Sequence, residues 1–329
     1  MPQDTPRHPN EYGGANCTTL SISTYLAQRK IKPESVAVAV NDEVIPRHLW
    51  DEYNIRNEDK VEVVRAVSGG DHDLLMIAGH EFNSRLFVGT GKYPDTDSMV
   101  KSLESSGTEM VTVAIRIMNL DGDEPSILES IDLSRYKLLP NTAGAYTVKD
   151  AVKMARLARE ATGTNWIKLE VIGDHRSLWP DVTGTIEATK ILVAEGFVVL
   201  PYTSPDLVSA IRLEEAGAAT VMPLAAPIGS GQGMQDWKSI ERIINAVSVP
   251  VVVDAGIGVP SDAALAMQLG ADAVLVNTAI AKATDPVVMA RAMRLGTQAG
   301  RLSYHAGRMP ISDYANPSSP VAGVPLAIE

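Results

Sequence analysis

Residues 249–279 read VPVVVDAGIGVPSDAALAMQLGADAVLVNTA. A β-branched run, VPVVVDAG (249–256), ends in an acid and glycine; an alanine-rich pattern, SDAALAMQLGA, has helical spacing; AVLVNTA (273–279) is a second buried run. Two short apolar strands joined by an amphipathic helix form a βαβ unit, whose strands run parallel. Upstream the rhythm recurs. Strand-like runs stand at RLFVGTG (85–91), MVTVAI (110–115), KLLPNT (137–142), NWIKLEV (165–171), FVVLPYT (197–203) and TVMPL (220–224). Helical patterns such as VKDAVKMARLAREAT and GTIEATKILVAEG separate them. Eight strands, each followed by a helix, in about 250 residues predict an α/β fold of the closed (β/α)8 TIM-barrel type. An open doubly wound sheet is the competing layout, but it has fewer strands and a GxGxxG fingerprint after the first.

The 20–68 region has another rhythm. LSISTYLAQRK predicts a short helix, VAVAVNDEVIPRH two strands turning at Asn41-Asp42, and KVEVVRAV a last strand. This is a small ubiquitin-like β-grasp pattern. Three segments are expected: a polar, disordered 1–16, a small domain over 17–70, and the barrel over 71–329.

Bulk properties exclude several functions. The chain has 329 residues, 45% hydrophobic and 21% charged, and is long enough for a large core and a small one. A net charge of -11 argues against nucleic acid, which needs clustered Lys and Arg. No apolar run reaches the ~18 residues of a membrane span, and MPQDTPRHPN has no signal-peptide core. One cysteine, Cys17, excludes an internal disulfide and predicts a cytoplasmic protein. The six histidines (His8, His48, His72, His80, His175, His305) show no metal-ligand spacing, so no metal is expected.

NWIKLEV carries the chemistry. On a strand Trp166, Lys168 and Glu170 share one face and Ile167, Leu169 and Val171 the other. The apolar face suits the helices outside a barrel, so Lys168 is expected to point inward. Burial alone predicts a lowered lysine pKa and a nucleophilic neutral amine, with Glu170 placed to move protons. A purely structural Lys–Glu pair is the alternative. Three loops with glycine or small residues, APIGSGQGM (226–234), DAGIG (254–258) and NTAIA (277–281), follow the last three strands, where barrels bind phosphate. Asp254, ending strand seven, is a second acid/base candidate or a helix cap. Lysine, carboxylates and a phosphate cradle together point to imine chemistry on a sugar phosphate.

Over residues 74–320 the chain resembles the bacterial thiazole synthases of thiamin biosynthesis. The resemblance rests on IAGHEFNSRLFVGTGKY, LLPNTAG, WIKLEVIGD, VMPLAAPIGSGQG, VPVVVDAGIGVPSDAALAMQLGADAVLVNTAIAKA and GRLSYHAGRMP. The small domain resembles the thiamin-pathway sulfur carrier through VAVAVNDEVIPR and DKVEVVRAVSGG. The resemblance implies an imine between Lys168 and 1-deoxy-D-xylulose 5-phosphate, with Glu170 and Asp254 moving protons. It implies that Gly229, Ala255, Gly256, Asn277 and Thr278 hold the phosphate and sugar. Sulfur from a carrier thiocarboxylate and dehydroglycine complete the ring, without cofactor or metal. A carrier-adenylating enzyme and a homo-oligomeric assembly belong to the same picture; nucleic acid and membrane do not. The chain departs from the family at residues 1–16, which offer no apolar first strand, and at Ile117, where a second basic residue is usual after Arg116.

The carrier works through a terminal glycine carboxylate, yet Gly69 and Gly70 continue into Asp71. Three residues separate Gly70 from Leu74, a reach of about 14 Å, against ~17–20 Å for a strand, so Gly70 is not expected to reach the catalytic mouth of its own barrel. Cleavage after Gly70 and a docking module served by a separate carrier both satisfy the resemblance; a plain Gly-Gly linker is the remaining reading. The intact mass of protein from thiamin-making cells separates them. Two species split between Gly70 and Asp71 mean a processed carrier tail; one full-length species, forming thiazole only with added sulfurated carrier, means a docking module or relic.

Overall fold

The computed structural model describes residues 20–28, 36–41, 43–56, 59–65, 73–114 and 127–316. The 1–16 segment, Gly69, Gly70 and Ile117 lie outside these residues. The chain divides into two compact units between Asp73 and Leu74.

In the smaller unit β1 (Leu20–Ser21) leads into α1 (Ile22–Gln28), where the Ser21 hydroxyl accepts from Thr24 N at 3.2 Å. β2 (Val36–Val40) and β3 (Glu43–Ile45) form a hairpin turning at Asn41, whose φ is +53°. β4 (Asn54–Ile55) pairs with β1, and β5 (Val61–Arg65) lies antiparallel to β2, giving the sheet order β3-β2-β5. Val36, Val38 and Val40 alternate onto one face, where Ile22, Leu26 and Trp50 cover them. The Trp50 indole N–H, which burial would leave unpaired, donates to the Ile45 carbonyl at 2.8 Å.

The larger unit opens with a hairpin, β6 (Leu75–Ile77) and β7 (His80–Phe82). Its two turn residues, Ala78 and Gly79, have φ of +47° and +77°, the pairing a two-residue turn needs to match strand twist. Eight parallel strands follow in sheet order: β8 (Leu86–Gly89), β9 (Met110–Ala114), β10 (Lys137–Asn141), β11 (Trp166–Leu169), β12 (Val198–Thr203), β13 (Met222–Pro223), β14 (Val252–Val253) and β15 (Ala273–Val276). Bridges Val221 to Val251 and Leu224 to Asp254 join β13 to β14 and close the ring. These two strands are shorter than TVMPL and VPVVVDAG predict, and backbone bonds such as Val221 N to Pro250 O and Asp254 N to Pro223 O continue their pairing beyond the strand bounds.

Helices α2 (Thr96–Ser106), α3 (Val148–Thr162), α4 (Val182–Ala194), α5 (Leu207–Glu215), α6 (Trp237–Ala246), α7 (Pro260–Gln268), α8 (Thr278–Ala281) and α9 (Pro286–Ala306) accompany the strands. The side chains of Asp95, Thr147, Asp181, Asp206, Asp236 and Asp285 cap α2 through α6 and α9. Residues 115–126, which follow β9, lie outside the described residues; a 3-10 turn, Ile127–Ser130, comes before β10. No described helix is long and apolar enough to cross a membrane.

The barrel interior has an apolar floor. Phe87, Met110, Leu139, Trp166, Leu200, Met222 and Val252 meet the hairpin side chains Leu75, Ile77 and Phe82 in one buried cluster. Phe82 lies 5.9 Å from Phe87 and 6.0 Å from Trp166, ring centre to ring centre, tilted or edge-on to both. IAGHEF therefore seals the amino-terminal end of the barrel. Phe82→Ala is expected to cost about 3–5 kcal/mol, read as a lower urea midpoint for the barrel by circular dichroism; a loss under about 1 kcal/mol would show that the hairpin is not the seal.

Candidate active site

Strand side chains repeat every second residue, so the position two beyond each floor residue forms the next interior tier. Gly89 stands two beyond Phe87, Thr112 beyond Met110, Asn141 beyond Leu139, Lys168 beyond Trp166 and Asp254 beyond Val252. All five line one cavity of about 950 Å³ at the carboxyl ends of the strands. Ile167, Leu169 and Val171 face outward into the core beneath α3 and α4. The expected inward Lys168 and Glu170 are where the alternation puts them, both about 5% exposed. Thr142 pins the backbone there: its hydroxyl accepts from Glu170 N and donates to Glu170 O, each at 2.8 Å.

Lys168 Nζ lies 2.5 Å from Asp254 Oδ2 and 3.5 Å from Glu170 Oε1. Asp254 is an ion-pair partner of the lysine and not a helix cap; its other oxygen accepts from Ala255 N at 2.8 Å. Burial presses Lys168 toward the neutral amine, but the Asp254 and Glu170 carboxylates outweigh it and raise its pKa above the ordinary lysine value. This corrects the lowered pKa that burial alone predicts. The resting side chain is an ammonium, and its proton must leave before it attacks a carbonyl. Burial, then the two carboxylates, also raise the Tyr202 phenol, which stays protonated; its ring centre is 5.8 Å from Lys168 Nζ.

The cavity wall gathers Gly229, Ala255, Gly256, Asn277 and Thr278, the other residues singled out from sequence. Two of the glycine loops lock back to back. Gly256 has φ of +72°, and a Cβ there would come within 2.5 Å of Ala226 N. Gly233 N donates to Gly256 O at 2.8 Å. The Asn277 amide nitrogen donates to Gly89 O at 3.2 Å and Gly91 O at 2.8 Å, tying the eighth loop to the first. A side chain on Gly89 would collide with it, since a Cβ would lie 2.8 Å from that of Asn277.

Sequence reasoning missed the first loop. Thr90, Gly91 and Lys92 also line the cavity. Lys92 has φ of +70° and Ala255 +55°, left-handed conformations that cost a side-chain-bearing residue roughly 1–2 kcal/mol and that cluster at functional sites. The signal was the Gly-Thr-Gly-Lys run at the end of β8. Among the described residues, no group of three or more His, Cys, Asp or Glu side chains is arranged to hold a metal.

Asp254→Asn removes the closest support of the Lys168 ammonium, so the amine is expected to titrate at lower pH, followed by NMR of ¹⁵N-lysine-labelled protein. A raised folded-state pKa means that the wild-type pair stabilises the barrel fully below pH 10.5, the ordinary lysine value, and that this is lost as pH rises through the folded value. The variant should lack that alkaline loss; an unmoved titration would remove Asp254 as the cause.

Residues 76–320 match the family described as thiazole biosynthesis protein ThiG, and residues 14–70 match the ThiS family. A thiazole synthase of Paramagnetospirillum magneticum is 47% identical over 309 residues, 93% of this chain and 95% of that protein. One from Thermodesulfovibrio yellowstonii is 54% identical over 254 residues, 77% of this chain and 99% of that protein. In the crystal structure of the Amycolatopsis orientalis BexX/CysO complex, a chain 37% identical to this one superposes with a TM-score of 0.66, covering 73% of this chain and 98% of that one. With three-quarters of its length matched and a buried lysine between two carboxylates inside an eight-stranded ring, the chain belongs to the ThiG thiazole biosynthesis family and carries a ThiS-family segment ahead of its barrel.

Proposed function

We propose that the protein is a thiazole synthase that joins 1-deoxy-D-xylulose 5-phosphate, dehydroglycine and thiocarboxylate sulfur into thiazole phosphate through an imine on Lys168. One observation carries this reading: a single buried ammonium held 2.5 Å and 3.5 Å from two carboxylates, in the wall of a cavity rimmed by glycine loops.

In this reading Asp254, the nearer base, takes the ammonium proton, and the freed amine adds to the substrate ketone. Loss of water leaves a protonated imine. Glu170 or Asp254 then removes the proton on the neighbouring carbinol carbon and returns one to the former imine carbon. The product has a secondary amine at that carbon and a ketone next to it. This is an isomerisation without net oxidation. The new ketone is the acceptor for sulfur.

No cysteine follows residue 17, so the sulfur comes from outside the barrel. We assign it to a thiocarboxylated carrier, either the chain's own 17–70 domain or a separate protein, loaded by a carrier-adenylating enzyme. The 71–329 barrel needs no cofactor of its own in this scheme. We place the protein in the cytoplasm as a homo-oligomer. An aldolase-type enzyme would share Lys168 and the phosphate loops without needing the small domain; a non-catalytic scaffold would bind sulfur-transfer proteins through the small domain and give no adduct on Lys168.

Borohydride added to protein and 1-deoxy-D-xylulose 5-phosphate should trap one adduct, located at Lys168 by mass spectrometry. Lys168→Ala should abolish it. Glu170→Ala should still be trapped while thiazole output falls by about 10²-fold or more. An adduct on another lysine, or no adduct with the wild-type chain, would overturn the imine role.

A further inference from the structure

We propose that Lys92 is the ion-pairing side chain for the substrate phosphate, closing the glycine cradle from the side of the first barrel loop. This inference rests on the sugar-phosphate reading above. Three residues from separate loops converge on one spot of the cavity wall. A Cβ placed on Gly229 would lie 3.6 Å from Thr278 Oγ1 and 3.7 Å from Lys92 Nζ. An oxyanion seated beside Gly229 would meet a hydroxyl donor on one side and an ammonium on the other.

Charge balance requires such a group. The cavity is lined by Glu129, Glu170 and Asp254. Among the described residues its other cation, Lys168, is already held by two of these carboxylates. A phosphomonoester dianion entering this space would be repelled unless a cation free of these carboxylates stood beside it. Among the described residues no carboxylate pairs with Lys92, so its ammonium is available. Its backbone supports the same assignment. At φ of +70° glycine or asparagine would hold the turn at lower cost. The lysine must contribute through its ammonium, which forms charge-assisted hydrogen bonds to phosphate oxygens.

The test compares trapping at Lys168 with 1-deoxy-D-xylulose 5-phosphate and with unphosphorylated 1-deoxy-D-xylulose on the full chain. Lys92→Asn keeps a residue tolerant of positive φ and deletes the charge; Lys92→Arg keeps the charge. Lys92→Asn should raise the half-saturating phosphorylated sugar about ten-fold or more and move that of the unphosphorylated sugar by less than about two-fold. Lys92→Arg should recover most of the difference. Equal losses for both sugars, or no change for either, would overturn the assignment. Calorimetry with inorganic phosphate reads the clamp independently of the imine. Binding weakened in Lys92→Asn and kept in Lys92→Arg supports it even if no adduct forms, in which case the sugar-phosphate reading alone falls. Phosphate binding indifferent to residue 92 overturns it.

Discussion

The two-residue repeat of a parallel strand couples the floor of this barrel to its chemistry. Any interior position forces the identity of the face two residues further on, and a slip of one residue would turn the whole set outward. Trp166, Val252 and Leu275 belong to the apolar floor, and the residues two steps beyond them are Lys168, Asp254 and Asn277. Hydrophobic packing below thus sets the register of polar groups above. The amino-terminal hairpin keeps water from the floor, so the charged tier faces one opening only.

Within that tier the ammonium of Lys168 is flanked by two carboxylates. Burying a charge is costly unless it is paired, and removing one partner leaves the rest uncompensated. The cluster carries one positive and two negative charges, so it tolerates an approaching cation or neutral carbonyl better than an anion. That asymmetry makes the cavity wall beside Gly229 consequential, where the Thr278 hydroxyl and the Lys92 ammonium converge. The carboxylate-flanked Lys168 and the Lys92 ammonium together favour a ligand that carries both a carbonyl and an anionic group.

The two compact units are built from separate cores. Ile22 to Ile55 supply the smaller one, and the barrel clusters draw only on residues from Leu75 onward. The relatives reflect the same independence. The Thermodesulfovibrio yellowstonii protein aligns over 99% of its own length with 77% of this chain, whereas the Paramagnetospirillum magneticum protein aligns with 93% of it. The barrel closes its floor with side chains of its own hairpin, Leu75, Ile77 and Phe82.

By itself the sequence determined whatever depends on local periodicity. The alternation of NWIKLEV placed Lys168 and Glu170 on one face, the helical spacing of VKDAVKMARLAREAT bounded α3 at Val148–Thr162, and the glycine loops marked the carboxyl ends of the late strands. β13 and β14 are shorter than the apolar runs that foretold them, although β10 and β12 run their full length with Pro140 and Pro201 inside them. Only the tertiary structure decided the state of Lys168. Burial is legible on one strand, but the sign of the shift depends on Asp254, which another strand brings to 2.5 Å. Lys92 was hidden for the same reason. Its meaning lies in its distance from Gly229 and Thr278, and distances across a closed barrel are set by strand order and stagger, not by any spacing along the chain.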